Sequence, residues 1–494
     1  MSNRLYTLEE VLHPRSVAII GASRAPQKWG HVAARQLLAS FPGEVYLITP
    51  SAPEILGQRT YPSLRAVPNP VDLAIITTAF QHVPAAVDDC IAHGVKGIVI
   101  VTAGFSETGP VGRALEMELV ARCHKHGIRI LGSNCMGVYV RRARLNALGM
   151  AFPLPEGPIG LVSQSGNLGM YLYAQAQLDG LGFTTFLSMG NGADVGFPEY
   201  LQYLANDPET KVIAGYVEAI DEQTLRQVTE QLYRQGRYKP VVILLSGATE
   251  VGVRAALAHT GSLATVRPDH DTALLGSGVV RVIRSDELYP VARALALQPP
   301  TPQGGRRIAI VGDGGGSVVA SGDAALRCGL EVPILKEETQ QRLRALLPAR
   351  ATATNPIDVA GAADEDPLAF ARLSEICLAD PDVDGVIITG LFGGYRWLLS
   401  EAFGAREEEA ARELGRLVRQ YGKPVLVQTI YARYDKDIPA LQLLRQEGLP
   451  YYESIEITCR AMAALAEIGQ FLTRMAAVAR TADQDQESGM CTDG

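Results

Sequence analysis

His259 is the side chain of this sequence with the clearest potential for covalent chemistry. It lies in the segment Ala258-His-Thr-Gly-Ser-Leu-Ala264, where its neighbours Ala258 and Gly261 are small. An imidazole nitrogen is nucleophilic at neutral pH and can carry a phosphoryl group, for which small neighbours leave room. The segment therefore predicts a loop histidine that can be phosphorylated. From the residues alone, a surface or packing histidine is the more common reading, and that alternative stays open at this point.

Glu218 could support such a histidine. It follows the apolar run Val212–Val217, which has the composition of a buried strand. A carboxylate at the end of a strand can bind the second ring nitrogen of His259 and fix its tautomer. We therefore take Glu218 as the candidate orienting residue.

A short segment of small residues predicts an anion site. Ser163-Gln-Ser-Gly-Asn-Leu-Gly169 follows a predicted strand and begins a predicted helix. Ser165, Gly166 and Asn167 would then present backbone N–H groups, and the positive end of the helix dipole, to a phosphate. The first position is serine rather than glycine, so the segment departs from the Gly-x-Ser-x-Gly turn of esterases.

A second small-residue turn lies near the start of the chain. Gly21, Ala22 and Ser23 end the first predicted strand, and Gly30 leads into the next helix. Such a turn can accept a phosphate, and a purely structural turn is the alternative. An NAD site would add a carboxylate at the end of the second strand, but that end reads Leu47-Ile-Thr-Pro-Ser51. The pattern favours a nucleotide bound through its phosphates over hydride transfer.

Further candidates follow the later strands of the same unit, where parallel strands bring their carboxyl ends to one edge. Thr77 and Thr78 follow the third strand, Thr102–Glu107 follows the fourth, and Gly132–Gly137 follows a short fifth strand. Cys135 lies in the last segment, and we interpret it as a buried structural thiol because no histidine is fixed beside it by the sequence.

Short Val- and Ile-rich runs alternate with amphipathic stretches throughout the chain, which predicts an α/β protein with mostly parallel sheets. We predict three doubly wound domains: a Rossmann-like domain at 1–150 and two flavodoxin-like domains at 151–298 and 306–480. The last two share three motifs in the same order, which favours a duplication. Residues 481–494 are polar and predicted to be a disordered tail. The first unit's predicted strands are 16–20, 45–49, 73–77 and 97–102, and its predicted helices are 31–40, 83–93 and 111–126.

Composition excludes several classes of protein. The 494 residues are 47% hydrophobic and 20% charged, with a net charge of −8, which argues against nucleic-acid or anionic-membrane binding. No apolar stretch approaches the ~18–20 residues of a membrane span, and residues 1–13 contain acids and no apolar run, so we expect neither a transmembrane helix nor a signal peptide. None of the seven cysteines forms a CxxC pair, so we expect no metal site and no disulfide framework. A cytoplasmic protein is predicted.

Together these motifs resemble the α subunit of nucleoside-diphosphate-forming acyl-CoA synthetases, in the succinyl-CoA synthetase superfamily. The resemblance runs from about residue 8 to residue 468. The segments that carry it are His259–Ala264, Ser163–Gly166, Gly190-Asn191 and Asn355–Asp358, together with Gly21–Ser23, Ala103-Gly104-Phe105 and Asn134 in a CoA-binding domain.

The resemblance implies a reaction and its partners. These enzymes interconvert acyl-CoA, phosphate and ADP with a free acid, CoA and ATP through an acyl phosphate and a phosphohistidine, which matches His259. Glu218 matches the orienting glutamate, and Ser165, Gly166, Asn167 and Gly261 match the phosphate site. CoA, as substrate, would be bound by Gly21, Ala22, Ser23, Gly30, Thr77, Thr78, Gly104, Phe105 and Asn134. ADP or ATP with Mg would bind a separate ATP-grasp β subunit, in an oligomer such as a heterotetramer.

Departures from the family pattern leave alternatives open. Leu245-Ser-Gly247 stands where Lys-Ala-Gly is common, Ala248 where Arg is common, and Ser51 where Lys is common. The lost positive charges put the identity of the carboxylic acid in doubt more than the reaction class. The main alternative is a non-catalytic CoA-binding regulatory protein of the same fold. A citrate-lyase-like enzyme of the same superfamily is the second.

Overall fold

The computed structural model describes residues 4–149, 155–218, 220–246, 249–260 and 274–490, without the side chains of 257–260, 435–436 and 482–490. These residues form three β-sheets, and helices separate most of the parallel strands. The chain divides into two compact units, Met1–Leu274 with Arg281–Ile283, and Leu275–Val280 with Arg284–Gly494. Among the described residues, no helix is both long enough and apolar enough to cross a membrane.

The strands are short and mostly buried. They are β1 Ser16–Ile20, β2 Glu44–Ile48, β3 Glu54–Ile55, β4 Gln58–Tyr61, β5 Leu73–Ile76, β6 Gly97–Ile100, β7 Arg129–Gly132, β8 Val138–Val140, β9 Leu145–Asn146, β10 Glu156–Ser163, β11 Phe183–Ser188, β12 Val212–Val217, β13 Val241–Leu245, β14 Val279–Val282, β15 Ile308–Gly312, β16 Ile357–Asp358, β17 Gly385–Gly390, β18 Val425–Thr429 and β19 Tyr451–Tyr452.

The helices pack on the faces of these sheets. They are Leu8–Leu12, Trp29–Ser40, Val83–His93, Pro110–His124, Gly166–Asp179, Phe197–Asn206, Glu222–Arg234, Glu250–Thr260, Ser285–Leu297, Gly315–Arg327, Glu337–Arg344, Ala362–Glu365, Ala369–Ala379, Tyr395–Leu398, Glu401–Tyr421, Pro439–Gln446 and Ile455–Met490. The last helix extends into 481–490, where the sequence predicts a disordered tail.

The first sheet has the strand order β3-β4-β2-β1-β5-β6-β7. All its neighbouring strands are parallel except the antiparallel pair β3–β4. From β4 to β7 this is the Rossmann order, which reverses direction between β1 and β5. Ligands of such sheets bind outside the carboxyl ends of the strands at the reversal, so the turns after these two strands are the candidate site.

The second sheet has the order β14-β13-β12-β10-β11-β8-β9. Strands β10 to β13 are parallel, whereas β8 and β9 form an antiparallel hairpin that pairs with β11. The order reverses between β10 and β12. The carboxyl ends of those two strands lead directly to Ser165 and Glu218.

The third sheet is parallel throughout, in the order β16-β15-β17-β18-β19. Counted in chain order this is 2-1-3-4-5, the flavodoxin arrangement. Strands β11-β10-β12-β13-β14 follow the same order, which agrees with the predicted duplication. The predicted α/β fold class is confirmed, with a Rossmann-like sheet followed by two flavodoxin-like sheets.

Burial explains why these runs form central strands. Every residue of β1, β5 and β6 is buried, because helices cover both faces of the first sheet. Burying a Val, Leu or Ile side chain stabilises the fold by about 1.5–3 kcal/mol. The packed sheet therefore provides a rigid base for the turns at its carboxyl edge.

Candidate functional site

The turn after β1 packs closely against the turn after β5. Gly21 has φ +101°, and a Cβ at Gly30 would lie 2.1 Å from the Gly21 carbonyl oxygen. The Thr77 hydroxyl donates to the carbonyl oxygens of Ile20 and Gly21, each at 3.2 Å. Glycine is therefore required at both positions by backbone conformation or space.

Ala22 and Ser23 complete this turn. Ala22 is buried, and its N–H donates to the carbonyl of Ile48 at the end of the neighbouring strand. The carbonyl of Ser23 lies 3.0 Å from Nδ1 of His31, in the following helix. The turn is thus fixed from two sides.

The segment Thr102–Glu107 after β6 has one side chain in the core and another at the carboxyl edge of the sheet. Phe105 is fully buried, and its ring packs edge-on against Phe80 with centroids 5.0 Å apart. Gly104 has φ +121°, and a Cβ there would meet the Phe80 ring at 2.5 Å. The Thr102 hydroxyl donates to the Thr78 carbonyl at 2.7 Å, which joins this segment to the turn after β5.

Asn134 and Cys135 follow β7. Asn134 has φ +51°, and its N–H donates to the carbonyl of Thr102 at 3.1 Å. The Cys135 thiol is buried and donates to the carbonyl of Ile100 at 3.3 Å. Burial raises the pKa of Cys135 to about 12, so it remains a thiol near neutral pH. This agrees with its interpretation as a structural thiol.

The predicted anion site lies at the start of the helix that follows β10 of the second sheet. Ser165 is the N-cap of the helix Gly166–Asp179, and its hydroxyl accepts the N–H of Leu168 at 3.3 Å. Gly166 and Asn167 form the first helical turn. N–H groups in a first turn lack partners within the helix and point out of its positive end.

Glu218 is buried beside this helix start. Its N–H donates to Oε1 of Gln164 at 2.7 Å, and the Tyr216 hydroxyl donates to its Oε1 at 3.3 Å. The Gln164 N–H in turn donates to the carbonyl of Tyr216. The loops after β10 and β12 are therefore joined at the point where the strand order reverses.

A cavity of about 460 Å³ lies at the carboxyl edges of the first two sheets. It brings Thr77, Thr78 and Asn134 together with Ser165, Gly166 and Asn167. The backbone N–H of Glu218 is hydrogen-bonded to the side chain of Gln164, which is another lining residue. Two lining residues lie outside the site segments predicted from the sequence: Trp29, which precedes Gly30, and Val101, which precedes Thr102. The full lining comprises Trp29, Thr77, Thr78, Val101, Thr102, Ala103, Asn134, Cys135, Met136, Gln164, Ser165, Gly166 and Asn167.

The backbone of His259 lies in the last turn of the helix Glu250–Thr260, whereas the sequence predicts a loop. Its side chain and the whole of Gly261 lie outside the described residues. The alanines that precede His259 have the highest helix propensity of any residue, which accounts for the difference. This helix lies against the turn Ser106–Thr108 that follows β6. In the described part of the chain, no group of three or more His, Cys, Asp or Glu side chains could hold a metal ion.

Two family models match the part of the chain that builds this cavity. Residues 15–141 match a CoA binding domain, and residues 156–295 match a succinyl-CoA ligase like flavodoxin domain. The α subunit of acetate–CoA ligase (ADP-forming) II from Pyrococcus furiosus is 36% identical over 463 residues, covering 93% of this chain and 97% of that protein. This chain belongs to the family of ADP-forming CoA ligase α subunits. The predicted family and enzyme class are confirmed.

Other relatives agree with this membership. The acetate–CoA ligase (ADP-forming) from Methanocaldococcus jannaschii is 34% identical over 362 residues, which cover 73% of this chain but only 50% of that longer protein. A solved structure of the dinucleotide forming acetyl-coenzyme A synthetase 1 of Ca. Korarchaeum cryptofilum, in complex with phosphate and ADP, is 30% identical. It matches with a TM-score of 0.81 and covers 95% of this chain and 98% of that one.

Proposed function

We propose that this chain carries the CoA-dependent steps of an ADP-forming acid–CoA ligase. The enzyme would interconvert an acyl-CoA, phosphate and ADP with a carboxylic acid, CoA and ATP. The observation that carries the proposal is the cavity that Thr77, Thr78 and Asn134 share with Ser165 and the helix start behind it. A thioester and a phosphate must meet in the first step, and both candidate sites open into this one space.

The first chemical step forms an acyl phosphate. A phosphate oxygen attacks the thioester carbonyl carbon, the C–S bond breaks, and the CoA sulfur leaves with the electron pair and takes up a proton. The N–H groups of Gly166 and Asn167 would hold the phosphate, with Gly261 as a further candidate. The helix start supports this role because its positive end stabilises the negative charges that gather on the phosphate.

The second step transfers the phosphoryl group to His259. A ring nitrogen attacks phosphorus, the P–O bond to the acyl group breaks, and the carboxylate leaves. The position of the helix Glu250–Thr260 against the turn Ser106–Thr108 supports the approach of His259 to this edge. Glu218 would orient the imidazole and stabilise its charged form, and its burial beside Gln164 supports that role.

The third step belongs to a partner. ADP attacks the phosphorus of the phosphohistidine, the P–N bond breaks, and ATP forms. We assign this step, with Mg, to an ATP-grasp β subunit in an oligomer. The naming of the Pyrococcus furiosus relative as an α subunit supports a partner subunit. The six free cysteines among the described residues support a reducing, cytoplasmic location.

The proposal also assigns the domains. Residues 1–150 would bind CoA, residues 151–298 would carry the phosphohistidine, and residues 306–480 would form a second ligase-like domain. The separate strand reversals of the three sheets support three such domains, although the hairpin β8–β9, within 1–150, pairs with the second sheet.

Labelling with radioactive phosphate tests the proposal. The purified chain is incubated with a panel of acyl-CoAs and labelled phosphate, beside His259→Ala and the control His126→Ala. His126 is exposed and follows the helix Pro110–His124, which ends at the opposite edge of the first sheet. We expect an acid-labile, base-stable label on the wild type and the control only.

Two other outcomes of the labelling experiment would contradict the proposal. Label on His259→Ala would refute the role of this residue. If no label forms with any acyl-CoA, or with ATP and an ATP-grasp partner, while CoA still binds, the non-catalytic CoA-binding alternative replaces the proposal.

A further inference from the structure

We infer that Asn191 is a positioning residue for the CoA-binding side of the cavity, because its single side-chain amide joins two carboxylates and the loops they hold. Asn191 follows β11 of the second sheet, whereas its side-chain partners belong to the loops and the helix that follow β6 and β7 of the first sheet. The inference rests on the proposed function, since CoA is the ligand through which it is measured.

The backbone brings the two loops into direct contact. Gly190 has φ +57°, and a Cβ there would lie only 2.0 Å from the carbonyl oxygen of Ser133. The next residue, Asn191, donates its N–H to that same carbonyl at 3.0 Å. No side chain separates the loop after β11 from the segment after β7, so Asn191 enters the first sheet's edge in a fixed orientation.

The side chain of Asn191 contacts four others. Its Nδ2 lies 2.7 Å from Oε2 of Glu107, 3.0 Å from Oε1 of Glu116 and 3.1 Å from the hydroxyl of Ser133. Its Oδ1 accepts Nδ2 of Asn134 at 3.4 Å. Asn134 lines the cavity, so one of these contacts reaches the site directly.

The two carboxylates hold the segment after β6. Glu107 accepts the backbone N–H groups of Gly104 and Phe105, and the buried Glu116 accepts the hydroxyl of Ser106. Two carboxylates this close repel each other unless a donor lies between them. The Asn191 amide supplies that donor, and the conformation of the predicted CoA-binding backbone depends on it.

Other contacts hold the two sheets together without Asn191. Arg129 of β7 donates to Glu199 at 2.8 Å and to Asp194 at 3.1 Å. The Asp194 carboxylate also accepts the N–H of Ile130 at 2.7 Å. Because these ion pairs remain, a change at Asn191 should disturb the site more than the fold.

Isothermal titration of the full chain with CoA tests the inference. Asn191→Asp keeps the shape of the side chain, removes both N–H donors and adds a negative charge beside two carboxylates. We expect the Kd for CoA to rise at least tenfold, equivalent to about 1.4 kcal/mol. Asn206→Asp is the matched control, because Asn206 is exposed and its Nδ2 donates to the carbonyl of Gln202 in the same helix. Its Kd should equal that of the wild type.

A reciprocal change separates positioning from a general loss of stability. In the double variant Glu116→Gln with Asn191→Asp, the new amide donates to the new carboxylate. The other partners of Glu116 are the hydroxyls of Ser106 and Ser133, which can donate or accept. We therefore expect at least threefold recovery of the Kd. A merely structural role would lower the bound stoichiometry or the melting temperature but leave the Kd of the folded fraction unchanged.

Three results would overturn the inference: a wild-type Kd for Asn191→Asp, an equal rise for Asn206→Asp, or no recovery in the double variant. If Asn191→Asp does not fold, Asn191→Ser takes its place, because serine has a shorter side chain and adds no charge. Its Kd for CoA should also rise, and a wild-type Kd would overturn the inference. Failure of the wild type to form phosphohistidine while binding CoA would refute the proposed reaction alone, because the Kd comparison does not require turnover.

Discussion

Replacing Glu407 by glutamine should remove a pH dependence from the stability of the unit that contains the third sheet. Glu407 lies on the helix Glu401–Tyr421 and is fully buried. It accepts the backbone N–H groups of Gly393, in the loop after β17, and of Tyr395, the first residue of the helix Tyr395–Leu398. Burial nevertheless dominates and raises the pKa of Glu407 from 4.5 to about 7.

The sign and size of the effect follow from this pKa. The folded state binds the proton more tightly than the unfolded chain, so its stabilisation is complete below about pH 4.5 and is lost as the pH rises through about 7. A difference of about 2.5 pKa units corresponds to about 3 kcal/mol at 1.36 kcal/mol per unit. Glutamine does not titrate, so Glu407→Gln should lack this slope.

Fluorescence can report on this unit alone. The chain has two tryptophans, Trp29 and Trp397, and the second lies beside the loop that Glu407 holds. In a Trp29→Phe background, urea unfolding followed through Trp397 gives the free energy of unfolding between pH 4.5 and pH 8. The free energy of unfolding of the wild type, relative to that of Glu407→Gln, should fall by about 3 kcal/mol between pH 4.5 and pH 8.

The exposed Glu409 provides the control on the same helix, where it pairs with Arg406 at the surface. The difference in unfolding free energy between Glu409→Gln and the wild type should stay nearly constant with pH. The reasoning is refuted if the difference between Glu407→Gln and the wild type is the same at pH 4.5 and pH 8, or if it grows in favour of glutamate as the pH rises.

Three substitutions at the cavity separate stability from chemistry. Gly190→Ala should lower the free energy of unfolding by more than about 2 kcal/mol in thermal melts, because a Cβ would meet the Ser133 carbonyl at 2.0 Å in a left-handed backbone conformation. Gly166→Ala should melt like the wild type, since the nearest atoms to its Cβ belong to the flexible Met136 side chain, with Sδ at 2.9 Å. It should nevertheless form less phosphohistidine, because that side chain is pushed toward the cavity. Glu218→Gln should slow phosphohistidine formation by on the order of 100-fold or more in rapid-quench assays, with unchanged CoA binding.

The sequence predicts the central elements well where local signals are strong. The strand Ser16–Ile20 and the helix Val83–His93 are found with their predicted bounds. Buried parallel strands read as short apolar runs, and that helix is bounded by Pro84 near its start and Gly94 as its left-handed C-cap. The third predicted helix, 111–126, is found as Pro110–His124, because the two residues before the left-handed Gly127 form a turn instead of continuing the helix.

The site is less accessible from the sequence, because its contacts join distant segments. Glu107, Glu116, Ser133 and Asn191 show no periodicity that would predict one shared network. The motif Gly190-Asn191 contributes to the family resemblance. The sequence does not show why these residues are needed there, because the reason is the close approach of two loops. The helical backbone at His259 was likewise missed, because the small neighbours that suggested space around the imidazole also favour a helix.

The hairpin β8–β9 has a consequence for how this chain can be divided. It follows the last strand of the first sheet along the sequence, yet its hydrogen bonds belong to the second sheet through β11. A fragment ending at residue 150 would carry these strands away and leave β11 as a bare edge, open to pairing with other chains. A division that leaves each sheet with all its strands therefore has to fall between Gly132 and Val138, before the hairpin rather than after it.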